Sequence, residues 1–113
     1  VEQDIEVQVE RRGGSTVVSA RGEVDVATAP ALRDGLDQAV DGDAGSVIVD
    51  LTGVTFIDST GLGVLIGVRK RCLDAGRDLR VVVTEPRILK VFEITGLTEL
   101  FAIHESLDPA LEA

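Results

Sequence analysis

Residues 46–51 read SVIVDL, a run built on the β-branched Val47, Ile48 and Val49, with one aspartate before the closing leucine. Such a run suits a strand covered on both faces, which places it at the centre of a sheet with neighbours on either side. The flanking segments supply those neighbours. IEVQVERR (5–12) alternates apolar and polar residues, Gly13-Gly14 marks a turn and STVVSARG (15–22) follows, so residues 4 to 21 predict an antiparallel hairpin. Thr28 is expected to cap a helix carrying Pro30 in its first turn and Leu32, Leu36, Ala39 and Val40 on one face, ended by DGDAGS (41–46). A second helix is expected from about 60 to 75, with Leu62, Leu65, Ile66, Arg69, Cys72 and Leu73 as its inward stripe and Gly76 as its stop. LRVVVT (79–84) reads as another buried strand. A third helix then starts at Thr84, Glu85 and Pro86, turns Ile88, Leu89 and Phe92 inward, and closes at Gly96. LFAIH (100–104) reads as a short last strand and SLDPALEA (106–113) as a terminal helix. The order β-β-α-β-α-β-α-β-α predicts an α/β fold with a mixed, mostly parallel central sheet, opened by the hairpin and flanked by helices. Residues 1–113 are expected to form a single domain, since a chain of 113 residues leaves no room for a second core.

Charge and residue usage exclude several functions. Eleven Lys and Arg against twenty Asp and Glu give a net charge of −9, which repels phosphate backbones and anionic lipid. Neither nucleic acid nor membrane is an expected partner; a basic protein surface is. With three Phe and no Tyr or Trp the chain lacks a base-stacking platform. The start VEQDIEV is too acidic for a signal peptide, and one cysteine forms no internal disulfide, so a cytoplasmic location is expected. Cys72 falls on the inward stripe and reads as a small core residue rather than a redox sensor. The single His, His104, has no neighbouring cysteine with which to build a metal site. No metal and no cofactor are expected.

The most polar interruption of the apolar sequence is FIDSTGLG (56–63), at the junction between the central strand and the second helix. Asp58, Ser59 or Thr60 can each accept a hydrogen bond from the free N–H groups of a helix start, and Gly61 lets the backbone turn tightly. That structural reading is complete in itself. Enzyme readings fail on detail. The nucleophile elbow G-x-S-x-G lacks its first glycine, because Ile57 stands two before Ser59. The segment has neither the lysine nor the spacing of a phosphate-binding loop, and Asp58 puts negative charge where a phosphate would sit. No catalytic residue is expected. A serine at an exposed helix start is, however, accessible to a protein kinase. Its phosphorylated form would carry about −1.5 to −2 charges at pH 7, beside the positive end of the helix dipole, and would alter any interface that includes this corner. Gly63 and Gly67 stand four apart on the same helix. They fit either a close approach of helix to sheet or a flat patch for a partner.

DSTGLGVLIG after DLTGVTFI, with GEVDVATAP upstream and RILKVFEITGLTELFAIHES downstream, resembles the bacterial anti-sigma factor antagonists, whose fold is the STAS domain. The resemblance spans nearly the whole chain in order and spacing. It implies partner switching: the unmodified antagonist binds an anti-sigma factor that is also an ATP-dependent serine kinase, and so releases the sigma factor for transcription. Phosphorylation by that kinase disables the antagonist, and a PP2C-type phosphatase restores it. The serine after the motif's aspartate is Ser59, with Thr60 the fallback acceptor. Asp25 matches an acidic loop position that helps meet the partner, and Asp58, Ser59, Thr60, Gly61 and Gly63 complete the expected contact surface. The alternative within the same family is a STAS module that holds a larger signalling complex together and is never phosphorylated.

Overall fold

A computed structural model describes residues 5–42 and 45–112. The expected hairpin residue 4, turn residues 43–44 and helix residue 113 lie outside them. Strand β1 (Ile5–Arg12) pairs antiparallel with β2 (Ser15–Val24), from Ile5 opposite Gly22 to Arg12 opposite Ser15. After helix α1 (Ala29–Asp41) come β3 (Ser46–Ile57), α2 (Ser59–Asp74), β4 (Leu79–Val82) and α3 (Pro86–Ile94). A 3-10 turn (Leu97–Glu99), β5 (Ala102–His104) and α4 (Leu107–Glu112) close the order. The strands lie in the sheet in chain order, with β2 to β5 all parallel and β3 in the middle. The mixed, mostly parallel sheet with an N-terminal hairpin therefore stands as expected.

Strands added in sequence through right-handed crossovers leave their helices on the same face. α1, α2 and α3 accordingly bury Leu32, Leu36, Leu65 and Phe92 against Val18, Val49 and Val81. On the opposite face α4 is the one helix, among the described residues, that covers the sheet, packing Ala110, with Leu107 and Leu111 beside it, on Val17, Ile48 and Val82. Val47, Ile48 and Val49 are thus all buried, which is what the β-branched run required.

Two local departures have physical causes. β3 does not stop at Leu51 but continues to Ile57. Its pairing with β2 shifts register between Ser19 and Arg21 and again between Gly22 and Glu23. Each shift gives β3 one extra residue, so its later inward positions, Leu51, Val54 and Ile57, recur every third residue instead of every second. That spacing conceals a strand from a two-residue period. In α2, Ile66 and Leu73 are 43% and 59% exposed; the buried face comprises Gly61, Leu62, Val64, Leu65, Val68 and Cys72. α1 packs along one flank of α2 and covers Val64 and Val68, which rotates the buried arc away from Ile66 and Leu73. Arg69 keeps its stem by the core, its Nε donating to the Leu100 carbonyl at 2.9 Å.

Arg77, in the connection from α2 to β4, is buried with 8% exposure. Its Nη1 donates to the carbonyls of Ala39 (2.7 Å) and Val40 (2.6 Å), and its Nε donates to Gly45 (3.0 Å). A cation thus closes the C-terminus of α1, where unpaired carbonyls and the negative dipole end favour it. The same side chain ties the α2–β4 connection to the α1–β3 connection. Arg77→Ala should lower the free energy of unfolding in urea by about 2 to 3 kcal/mol without changing the circular dichroism spectrum. Lys, a point charge without the planar fork, should restore only part of that loss.

Candidate functional site

The carboxyl ends of β2 and β3 lie side by side. Val24 is in register with Ile57, and the Asp58 N–H donates to the Val24 carbonyl at 3.1 Å. The two segments that follow, DVATAP and DSTGLG, therefore leave the sheet from adjacent points, each beginning with an aspartate. Loops at the carboxyl ends of parallel strands are where α/β sheets place their sites.

The ambiguity over the helix cap resolves on Asp58. Its backbone is extended, and its Oδ1 accepts from the N–H groups of Thr60 (2.9 Å) and Gly61 (3.3 Å). With those donors taken by the aspartate, the Ser59 hydroxyl is left exposed and, among the described residues, without a hydrogen-bond partner; Thr60 is exposed beside it. Gly61 is buried and its backbone is helical, with no positive φ, so it makes no tight turn. It serves instead as a close approach. A Cβ there would stand 2.6 Å from Cγ1 of Val24 and 2.8 Å from Cγ1 of Ile57. Only a glycine lets the first turn of α2 sit on the Val24–Ile57 pair.

Gly63 and Gly67 do not approach the sheet. A Cβ at either would meet no atom within 4 Å, and both line an open groove of about 320 Å³ between α1 and α2, with Asp37 and Arg71 among its walls. Arg71 hydrogen-bonds Asp37 across that groove. The close approach to the sheet is therefore not found at these glycines, which border open space.

Asp25 organises the neighbouring loop. Its Oδ1 accepts from the N–H groups of Ala27 (2.9 Å) and Thr28 (3.1 Å), and its carbonyl accepts from Ala29 N–H at 2.8 Å. Thr28, expected to cap α1, makes no side-chain bond to the helix. Its buried hydroxyl turns back to the end of β2, donating to the Glu23 carbonyl at 2.7 Å and accepting from Asp25 N–H at 2.9 Å. In the sequence this loop is marked by Thr28 as a cap and by Asp25 through the family resemblance; the D-x-x-T spacing is the local signal of the lock between them.

The other reactive side chains lie elsewhere. His104 pairs with Val82, which pairs with Asp50, so it sits two strands across from β3 and seven residues before the end of that strand. At about 3.3 Å per residue that is roughly 20 Å short of the Ser59 corner, too far for a Ser–His pair. Cys72 is buried, and loss of hydration pushes its thiol pKa up, with Arg77 and Arg71 opposing the shift. Among the described residues no three His, Cys, Asp or Glu side chains gather as a metal site, and no helix is long and apolar enough to cross a membrane.

The corner thus presents an exposed hydroxyl on a capped helix start, two loop aspartates that order backbone and, among the described residues, no hydrogen-bonded acid–base partner for the hydroxyl. Such a site can be modified or bound by another protein.

Comparison with known proteins identifies the family. The chain is 34% identical over 91 residues to an anti-sigma-B factor antagonist of Staphylococcus aureus, an alignment covering 80% of this chain and 84% of that one. The crystal structure of an anti-sigma factor antagonist from Mycobacterium paratuberculosis superposes with a TM-score of 0.87 at 33% identity, covering 96% of this chain and 92% of the other. The Bacillus cell fate determinant SpoIIAA in its phosphorylated form shares the fold, with a TM-score of 0.71 at 21% identity over 95% of this chain and 97% of that one. The STAS domain family model matches residues 6–110. With that match running from β1 into α4, the chain belongs to the STAS domain family.

Proposed function

We propose that this chain is an anti-sigma factor antagonist whose binding is switched by phosphorylation of Ser59. The observation that carries the reading is the exposed, unpartnered Ser59 hydroxyl at the start of α2, held by the Asp58 cap. It is supported by the names of the relatives and by the existence of a same-fold neighbour in a phosphorylated form. The unmodified protein binds, in the cytoplasm, an anti-sigma factor with serine kinase activity, and the sigma factor is released. Residues 1–113 act as one unit in this exchange, and Asp25, Asp58, Ser59, Thr60 and the open Gly63 surface meet the partner. The kinase supplies ATP, since the α2 N–H donors that would hold a nucleotide phosphate are occupied by Asp58.

The physical basis of the off-state is electrostatic. A phosphoryl group on Ser59 brings close to two negative charges beside the Asp58 carboxylate, on a chain already at −9. Asp58 has taken the nearest amide donors, so the dianion is compensated only in part by the helix dipole. Seating it against a partner removes its hydration, and a tenfold loss of affinity needs only about 1.4 kcal/mol. A PP2C-type phosphatase reverses the state by hydrolysis.

The test is incubation with each of the host's anti-sigma kinases and ATP, followed by mass mapping. One phosphate on Ser59, absent from Ser59→Ala, is expected from the cognate kinase. Ser59→Ala should bind that kinase with the affinity of the unmodified protein, and Ser59→Asp at least about tenfold more weakly. If no kinase labels the chain, the phosphorylation switch fails and a non-switching STAS scaffold becomes the reading. Asp58→Ala should lower stability by about 1 kcal/mol through loss of the cap, which thermal melting separates from any effect on binding.

A further inference from the structure

Phe56 and Val26 are exposed apolar side chains in the two segments that meet at the Ser59 corner, and neither belongs to the core. Of the three phenylalanines in the chain, Phe92 and Phe101 are buried and meet edge to face with ring centroids 6.1 Å apart. Phe56 remains 48% exposed. It stands one residue before the inward-facing Ile57 and opposite Glu23 in β2, so alternation turns it to the face of the sheet away from α1, α2 and α3. On that face α4 packs on Val17, Ile48 and Val82 and does not bury Phe56. Val26 is 72% exposed at the crest of the loop that Asp25 holds through Ala27 and Thr28 N–H.

We infer that Phe56 and Val26 are the apolar anchors with which this chain seats its anti-sigma kinase over Ser59, on a partner face of apolar recesses rimmed by Lys and Arg. The inference rests on the reading of the chain as an antagonist of such a kinase. A kinase must cover the Ser59 hydroxyl to phosphorylate it, and a standard interface covers about 800 Å² on each partner. Phe56 lies three residues from Ser59, hence at most about 11 Å away between Cα atoms. Val26 lies two residues beyond Val24, whose carbonyl accepts from Asp58 N–H. Both residues therefore lie on backbone close enough to Ser59 for one interface of that size to reach them. Both also sit on backbone already ordered, Phe56 in a paired strand and Val26 on a loop with its turn donors satisfied, so little freedom is lost on binding.

Charge selects the partner's chemistry. Glu23 stands opposite Phe56 in the sheet, Asp25 precedes Val26 and Asp58 follows Phe56 by two residues, so the charges next to the anchors in register and sequence are carboxylates. Desolvated apolar anchors inside a charged rim are the arrangement in which a few residues carry most of the binding energy. The opposite end of the fold provides the comparison. Leu73 and Ile94, at the C-termini of α2 and α3, are 59% and 73% exposed and are no part of this footprint.

The experiment is titration of the cognate anti-sigma kinase with wild type, Phe56→Ala, Phe56→Leu, Val26→Ala, Leu73→Ala and Ile94→Ala, each checked by thermal melting. Phe56→Ala is expected to raise Kd about tenfold or more and Val26→Ala about threefold, with Phe56→Leu intermediate and the two distal variants within about twofold of wild type. In phosphorylation kinetics Phe56→Ala should raise KM with kcat nearly unchanged, because the reacting hydroxyl keeps its position. If Phe56→Ala fails to fold, Val26→Ala and Phe56→Leu carry the comparison. Wild-type affinity in Val26→Ala and in the Phe56 variants that fold, with the wild type binding its kinase, overturns the anchors and leaves the antagonist reading standing. Failure of wild type to bind any of the host's anti-sigma kinases overturns the antagonist reading, and the anchors with it.

Discussion

The parallel pairing of β2 with β3 carries the site. By bringing Val24 abreast of Ile57, and by the bond from Asp58 N–H to the Val24 carbonyl, it delivers two loops to one corner from segments more than thirty residues apart in the chain. Both inward side chains then form the floor on which the first turn of α2 rests. That contact tolerates no side chain at Gly61. Two register shifts in the pairing set the angle at which β3 arrives, and a strand that bends through bulges can direct its last residue where a straight one could not.

Each end of the parallel layer is closed by a different chemistry. At the carboxyl end the closing groups are carboxylates, Asp58 on α2 and Asp25 on the loop before α1, each accepting backbone N–H bonds. At the amino end the closing group is a guanidinium, Arg77, donating to the last carbonyls of α1. Both choices follow the helix dipole. The consequence is that carboxylates order the backbone beside Ser59, while a buried guanidinium ties the connections at the other end of the sheet.

Much of this was legible in the residues. SVIVDL announced a central strand, the hairpin and the three main helices appeared in order, and FIDSTGLG marked the junction that matters. The extension of β3 to Ile57 was not legible, because bulges replace a two-residue period with a three-residue one. Nor was the buried arc of α2, since Ile66 and Leu73 match the helical period as well as Val64 and Val68 do. Which of them is covered depends on where α1 lies. Arg77 carries no local signal of its role, and Thr28 reads as a helix cap. The partners of Arg77, the carbonyls of Ala39 and Val40, are set by packing between elements, whereas Thr28 turns back to Glu23 within its own stretch of chain.

What the sequence determined by itself is local: which segments are strands or helices, the hydroxyl-rich junction, the net charge of −9 and the motif that ties the chain to its family. These rest on periodicity, capping chemistry and composition, which act over a few residues. The tertiary structure alone decided that Asp58, and not Ser59 or Thr60, caps α2. It decided too that Gly61 rather than Gly63 or Gly67 is the contact glycine, and that Phe56 and Val26 face solvent beside a free serine hydroxyl. Each of those outcomes turns on which surface another element covers. A chain of local preferences leaves that open until the strands pair and the helices come down on the sheet.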